Sequence, residues 1–155
     1  GLTLPNLTNA LYWNKKVYNN FERYLDAGLG TPNNEAQNTW HNHRVIRYAD
    51  VLLLAAEAAN EDGRSAEALP WLNRVRQRAG LDPVTTTDQA ALRDIIKKER
   101  RAEFAMEYER FFDLVRWGDA VEELSELGYQ NKHRYFPIPT PALNANPKLT
   151  QNPEW

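Results

Sequence analysis

Residues 47–80 contain two apolar stripes with helical spacing, separated by an Asp62-Gly63 pair that is typical of a helix stop. The first stripe comprises Tyr48, Val51, Leu52, Ala55, Ala58 and Ala59, and the second comprises Leu69, Leu72, Val75 and Ala79. Ser65 is a good N-cap for the second helix, and Gly80 is a good C-terminal stop. Because the connection is only a few residues long, the two helices must run antiparallel, side by side.

The sequence therefore predicts a helical hairpin of about 34 residues, the length of a tetratricopeptide-type unit. The small residues Ala56 and Ala68 stand where the two helices of such a hairpin approach closely. A single hairpin cannot bury both of its faces, so further helices are expected to follow.

Two more helices are predicted after the hairpin. The first begins with a possible capping box, Thr86 with Gln89, and continues to Met106. Its apolar side comprises Leu92, Ile95, Ile96, Ala102 and Met106. The second is predicted over the stretch "RFFDLVRWGDAVEEL", and Gly128 ends the turn that follows it.

The flanking segments differ from this helical part. Residues 1–46 are rich in Asn, Gly and aromatic residues without a sustained period, so they are predicted to be mostly irregular. Residues 129–155 have five prolines in the last nineteen positions, so they are predicted to form an extended tail pinned by its apolar side chains. With 155 residues the chain is expected to be one all-α domain, helical over residues 47–128.

The stretch from Glu99 to Asp119 mixes charged side chains with aromatic rings. Glu99 and Glu103 fall on the apolar side of their helix, and a carboxylate that is buried there needs a partner. Arginine suits this role, since its planar guanidinium binds carboxylates bidentately and stacks on rings. We therefore predict a structural network of ion pairs between helices, with at least one Arg–Glu pair well under half exposed. Its members are Glu99, Arg100, Arg101, Glu103, Glu107, Arg110, Asp113 and Arg116.

Composition excludes several functions. The charge is close to balanced, with 19 basic and 21 acidic residues, so nothing directs the chain to nucleic acid or anionic lipid. The absence of cysteine excludes disulfides and thiolate chemistry in this chain. The longest apolar run, residues 51–56, is far shorter than the roughly 20 residues of a transmembrane helix, so no transmembrane segment is predicted.

Several long motifs in this chain resemble the C-terminal portion of the SusD/RagB family. They include "RYADVLLLAAEAANE", "NRVRQRAGL", "LRDIIKKERRAEFAMEYERFFDLVRWG", "GY", "FPIP" and "NPKLTQNP", in the family's order. The resemblance extends over residues 47–153, and several long motifs in register are more specific than any short pattern.

The resemblance implies a non-enzymatic receptor that is lipid-anchored at the external face of the outer membrane. Such receptors hold oligosaccharides for import by a TonB-dependent transporter, so a glycan and this transporter are the implied partners. Family members are several times longer and begin with a lipidated cysteine, so this chain is expected to be a C-terminal portion without the anchor. Within the motifs, residues 99–119 are interpreted as scaffold, and sugar contacts are expected in loops outside the shared motifs.

Aromatic rings that stack on the apolar faces of sugars, with amides beside them, are typical of glycan sites. The candidates in the irregular N-terminal segment are Tyr12, Trp13, Tyr18, Trp40 and His43. His41 and His43 alternate, but a metal site needs at least a third ligand and none is placed nearby, so no metal and no cofactor are predicted.

Two alternatives to a glycan receptor remain. A glycoside hydrolase fragment would need a general acid that holds a proton, whereas the acids that stand out here are matched by arginines, which favour the ionised form. No nucleophile motif or phosphate loop is present, so no catalytic residue is predicted. A helical-repeat module that binds a peptide or a partner protein would differ from the receptor only in its ligand.

Overall fold

The computed structural model of the protein describes residues 44–155, and within that range all regular structure is helical, which confirms the all-α prediction. The α-helices are α1 (Tyr48–Glu61), α2 (Ser65–Arg78), α3 (Gln89–Glu103), α4 (Arg110–Trp117), α5 (Ala120–Leu124) and α6 (Thr140–Ala145). Two short 3-10 helices span Ser125–Leu127 and Asn131–Arg134. The chain divides into two compact units, one ending at Val84 and the other beginning at Thr85. They are described separately.

Helices α1 and α2 form the predicted tetratricopeptide-like hairpin, joined by three residues. Ala56 and Ala68 are both fully buried, as expected where two helix backbones approach closely. Leu53 and Leu72 are also inaccessible to solvent and supply the largest apolar side chains of this core. Burial of a leucine contributes about 1.5 to 3 kcal/mol, so these few side chains account for much of the hairpin's cohesion.

The buried face of α1 is displaced from the predicted stripe. Tyr48, Val51 and Ala58 are exposed, and the buried residues are Leu52, Leu53, Ala56, Ala59 and Asn60. Periodicity identifies an apolar side of a helix, but a single partner covers only a narrow part of it. In α2, Ala79 is likewise exposed because the helix ends at Arg78.

The turn between the two helices contains a glycine at positive φ and an arginine that pairs with two acids. Gly63 has a φ of 76°, which glycine adopts without a steric penalty, and its N–H donates to the carbonyl of Asn60. Arg64 forms ion pairs with Asp62 at 2.8 Å and Glu67 at 2.6 Å. Its hydrogen bond with Asp62, followed by the charge of Glu67, raises the pKa of the Arg64 guanidinium above its usual value. Stability from a raised pKa is lost only as the pH rises through it, so Arg64 adds no pH dependence near neutrality.

Ser65 begins α2 but is not its N-cap, contrary to the sequence prediction. Arg64 occupies the N-cap position, and the buried Ser65 hydroxyl donates to Asn60 Oδ1 at 2.8 Å. The serine thus serves the contact between helices rather than the helix end, because Asn60 offers it a buried acceptor.

In the second unit, α3 is capped by Asp88 rather than by the predicted Thr86–Gln89 box. The Asp88 carboxylate accepts a hydrogen bond from the N–H of Ala91 at 2.8 Å. The helix ends at Glu103, earlier than predicted, so Met106 lies outside it with a φ of 67° and its side chain exposed. Phe104, just past the end, is buried.

The fourth predicted helix is divided at Gly118. This residue has a φ of 81°, and the N–H of Asp119 donates to the carbonyl of Leu114, which closes α4. The chain then restarts as the short helix α5. The apolar pattern continues through Gly118, but the freedom of glycine at positive φ ends the helix there.

The tail is less extended than predicted, since the 3-10 helix Asn131–Arg134 and α6 both lie within residues 129–155. Proline at the first turn of α6 is compatible with a helix, because the N–H it lacks would have no partner there. Polar side chains also hold the tail. Gln151 donates to the carbonyl of Ile138 at 3.0 Å and accepts from its N–H at 2.7 Å, whereas Phe136 is exposed.

Candidate functional site

The most buried charges of the second unit meet at Asp113, in the first turn of α4. Arg100 from α3 donates from Nε to Asp113 Oδ2 at 2.9 Å, and their side chains are only 2% and 4% exposed. Arg116, one turn further along α4, donates from Nε and Nη2 to Asp113 Oδ1 at 3.0 and 2.9 Å. Each carboxylate oxygen therefore accepts from its own guanidinium. Such charge-assisted bonds offset the cost of burying Arg100 and Asp113, whereas the Arg116 side chain stays 37% exposed. We call these three residues the Asp113 cluster.

Aromatic rings lie against the cations of this region. The Arg100 guanidinium lies 4.9 Å from the ring centre of Phe104, and that of Arg116 lies 4.9 Å from the ring centre of Trp117. Lys97 is 5.1 Å from the same indole and pairs with Asp119 at 2.6 Å. Stacking on a ring satisfies the flat faces of a guanidinium, which cannot form hydrogen bonds.

Several members of the predicted ion-pair network meet in the structure. Arg100, Asp113 and Arg116 converge, and Arg110 lies 3.4 Å from Glu123, an acid that was not predicted as its partner. Glu99 is buried, Glu103 and Glu107 are half-buried, and Arg101 is exposed. The acid that joins buried Arg100 to α4 is an aspartate, Asp113.

The chemistry available at the Asp113 cluster is structural. Both of its carboxylate oxygens are occupied by guanidinium donors, and the side chain is almost inaccessible to solvent. A general acid or nucleophile must reach its substrate, so this carboxylate is poorly placed for either role. The cluster connects α3 to α4 across thirteen positions of sequence.

A second feature of this unit is an open groove of about 620 Å³, which we call the aromatic groove. Its rings are Phe111, Tyr129, His133, Tyr135, Phe136 and Trp155. The remaining walls are Leu124, Leu127 and Gly128, so no carboxylate lines it. Its volume lies within the range of about 300 to 1,000 Å³ that is usual for small-molecule sites.

The rings of the groove form a connected series. Phe111 and Tyr129 meet edge to face at 6.0 Å, Tyr129 and His133 at 5.7 Å, and His133 lies 5.5 Å from Trp155. The Trp155 indole N–H donates to the carbonyls of Lys132 and Tyr135, both at 3.1 Å, which holds the ring in place. His133 Nδ1 accepts from the N–H of Gln130, so in the neutral imidazole Nε2 carries the proton.

The sugar-binding candidates predicted from sequence, Tyr12, Trp13, Tyr18, Trp40 and His43, lie outside the described residues, as does His41. The aromatic groove was missed by sequence reasoning. Tyr135, Phe136 and Trp155 were interpreted as pins for the tail, yet they are 46%, 79% and 44% exposed. The available signal was the concentration of rings around the basic residues Lys132 to Arg134, which a folded tail places on one surface.

Within residues 44–155, His, Asp and Glu side chains nowhere gather in threes at a spacing that would suit a metal ion. None of the helices in this range combines the length and apolar character of a transmembrane helix.

The fold and the Asp113 cluster together define a class of protein, an all-α scaffold built on a tetratricopeptide-like hairpin. Comparison with known proteins identifies the family. The SusD family model matches residues 5–133, which is most of the chain. The chain belongs to the SusD family.

Relatives and solved structures agree with this assignment. The chain is 32% identical to SusD-like protein P2 of Formosa agariphila over 163 residues, which covers 87% of this chain and 32% of that protein. It is 38% identical to SusD-like protein P38 of the same organism over 118 residues, or 70% of this chain and 24% of that one. The crystal structure of a SusD superfamily protein from Bacteroides vulgatus superposes with a TM-score of 0.70 at 34% identity, covering 76% of this chain and 28% of that one. The chain thus spans about a third of the length of P2 and of a further relative, SusD-like protein P25 of Formosa agariphila.

Proposed function

We propose that this chain contributes the helical scaffold of a non-enzymatic receptor that holds oligosaccharides at the external face of the outer membrane and delivers them to a TonB-dependent transporter. The observation that carries the proposal is the SusD family match over residues 5–133. A glycan-binding role in nutrient uptake is what membership of this family supports.

The geometry of the described residues supports a role without catalysis. The most buried acid of the second unit is Asp113, and two arginines occupy its carboxylate. A glycosidase needs two carboxyl groups that face a sugar from opposite sides, one of them protonated. A carboxylate held between two cations serves stability instead.

The proposal is tested by measuring glycan binding directly. Affinity electrophoresis in gels that contain a panel of neutral and acidic polysaccharides should retard the chain in at least one gel, and isothermal titration with the matching oligosaccharide should give a saturable isotherm. Reducing-end assays on the same mixtures should show no new chain ends. Release of new ends, or binding of a peptide with no glycan bound, would contradict the proposal.

Location and partner need a separate experiment in the host cell. The gene product, tagged at its own locus, should appear in the outer-membrane fraction and be accessible to protease in intact cells. A TonB-dependent transporter should co-purify with it after gentle solubilisation. Recovery in the cytoplasmic fraction, or purification without any such transporter, would refute this part of the proposal while leaving glycan binding to be judged on its own.

A further inference from the structure

The aromatic groove offers exposed ring faces to a ligand. Phe136 is 79% exposed and has no ring partner among residues 44–155, while Tyr135 and Trp155 are about half exposed. Flat apolar rings that are open to solvent are the surfaces on which the C–H faces of pyranose sugars stack. The groove is wide enough for a short oligosaccharide, given its volume of about 620 Å³.

Part of this surface is already held in a fixed geometry. The Trp155 indole N–H donates to two backbone carbonyls, those of Lys132 and Tyr135, so the ring cannot rotate without breaking both bonds. The tail that carries Tyr135 and Phe136 is fixed in turn by Asn152, whose side chain donates to the carbonyl of Phe136 at 2.6 Å. A platform that is ordered before binding loses little entropy when a ligand arrives.

The charges at the rim indicate which sugars would be preferred. Lys132 Nζ lies 4.9 Å from the ring centre of Trp155, and the Arg134 guanidinium lies 4.9 Å from that of Tyr135. Neither cation has a salt-bridge partner among residues 44–155, and no acid lines the groove. His133 adds an Nε2–H donor between them in sequence. A ligand that stacks on these rings therefore meets two cations that form no salt bridge with the described residues.

We propose that the aromatic groove is a binding site for an acidic oligosaccharide, whose pyranose ring stacks on Phe136 and its neighbours while its anionic group pairs with Lys132 or Arg134. The anion is a uronic acid carboxylate or a sulfate ester, which present the same charge to these cations. This inference rests on the proposed function and adds to it a place and a substrate class. It departs from the expectation that sugar contacts lie outside the shared motifs, since Tyr129 and Phe136 belong to them.

The test is a titration of the whole 155-residue chain with trigalacturonate, its methyl ester and a sulfated galactose oligosaccharide, followed by NMR. The indole N–H signal of Trp155, assigned with Trp155→Phe, reports on the groove itself. Trigalacturonate should shift this signal, and the uncharged methyl ester should bind several-fold more weakly. The sulfated probe distinguishes the two sources of negative charge.

Variants with matched controls locate the site. Phe136→Ala should weaken binding roughly three- to tenfold, the scale of one lost stacking contact. Tyr108→Ala should leave it unchanged, because Tyr108 is equally exposed at 80% but lies outside the groove. Lys132→Ala should weaken binding about two- to fivefold at low ionic strength and less at high salt, whereas Lys98→Ala, at an exposed cation on α3, should have no effect.

Each result decides between the two proposals. Acidic sugars that bind equally well to wild type, Phe136→Ala and Lys132→Ala place the site elsewhere, which overturns the groove and keeps the receptor. Equal affinity for trigalacturonate and its methyl ester overturns the acidic class. A proline-rich peptide that shifts the Trp155 signal while the acidic sugars do not would overturn the sugar assignment of the groove. Failure of the chain to bind any neutral or acidic glycan overturns both proposals.

Discussion

The hairpin unit and the unit that follows it both have apolar helical cores, but they differ in the polar groups that they bury. The hairpin closes on apolar and small residues, with Leu53, Ala56, Ala68 and Leu72 fully buried. Its buried hydrogen bond from Ser65 to Asn60 is between neutral groups. The second unit also buries apolar side chains, among them Leu92, Ile96 and Leu114, but it adds an ion cluster in which Arg100 and Arg116 share Asp113.

In both units a side-chain amide forms two hydrogen bonds with the backbone of one residue that lies outside the helices. In the hairpin unit the Asn73 side chain donates to the carbonyl of Val84 at 2.9 Å and accepts from its N–H at 2.7 Å. In the second unit Gln151 forms the same two-way pair with Ile138 at 3.0 and 2.7 Å. A side-chain amide thus substitutes for a neighbouring strand and satisfies backbone groups that a helix cannot reach.

The two units also differ in how far apart in sequence their contacting residues lie. The contacts of the hairpin follow from two adjacent helices with a short turn, so the packing is local. The Asp113 cluster instead joins α3 to α4 across a connection in which Met106 and Tyr108 have positive φ. Non-glycine residues adopt such φ values at a cost of about 1 to 3 kcal/mol each. We interpret the cluster as an interaction that offsets this cost.

The largest loss of stability is expected when Asp113, the acid that two arginines share, is removed. Asp113→Ala should lower the free energy of unfolding by about 3 to 5 kcal/mol, because it strands the buried Arg100 guanidinium without its carboxylate. Urea unfolding followed by circular dichroism measures this loss. Asp94→Ala, at an exposed acid of α3, is the matched control and should change stability by about 0.5 kcal/mol or less. A small effect of Asp113→Ala would mean that the cluster does not stabilise the unit.

An apolar truncation in the hairpin should be the next largest effect. Leu72→Ala removes a fully buried side chain and should cost about 3 kcal/mol, since both transfer energy and cavity formation contribute. Leu81→Ala, at a leucine that is 47% exposed, serves as the control and should cost much less. A cost at Leu72 no larger than the cost at Leu81 would show that the hairpin does not depend on its buried apolar side chains.

Sequence reasoning predicted the hairpin well because its determinants are local. The period of the apolar residues, the short turn and the two small alanines sufficed for the element type and the antiparallel pairing. The register of the buried face was wrong at Tyr48, Val51 and Ala58, since periodicity does not reveal how much of a helix its partner covers.

The second unit was predicted less well because its contacts are distant in sequence and polar. Glu99 is buried as its position on the apolar side predicted, but the pairing of Arg100 with Asp113 depended on where α3 ends and α4 begins. Gln151, Asn152 and the locked Trp155 join residues thirteen to twenty-three positions apart, and a proline-rich tail gives no pattern that reveals such pairs. The aromatic groove follows from these bonds, so the concentration of rings in the tail indicated its residues but not that they share one surface.

The neutral buried hydrogen bond of the hairpin should contribute less than either core. Ser65→Ala removes the hydroxyl that donates to Asn60 Oδ1 and should cost about 1 to 2 kcal/mol, measured as a shift in the urea midpoint. Ser125→Ala, at an exposed serine, controls for the loss of a hydroxyl and should be neutral. A cost as large as that at Asp113 would show that the hairpin also depends on a polar contact, and the contrast between the units would fail.

The smallest loss of stability is expected for changes to the side-chain amides of Gln151 and Asn73, which form the same kind of contact in the two units. Gln151→Glu and Asn73→Asp each keep the oxygen that accepts a backbone N–H but lose the N–H₂ that donates to a carbonyl. Each should therefore cost about 1 kcal/mol, seen as roughly fivefold faster hydrogen exchange at the amide of Ile138 or Val84. Gln151→Ala and Asn73→Ala, which lose both bonds, should accelerate exchange further at the same amides. Gln77→Glu, at an exposed amide on α2, should leave both amides unchanged. Because the two side-chain amides form the same pair of hydrogen bonds, equal losses of stability are expected at Ile138 and Val84. Unequal losses would indicate that other contacts hold one of the two segments and that the two amides share only their geometry.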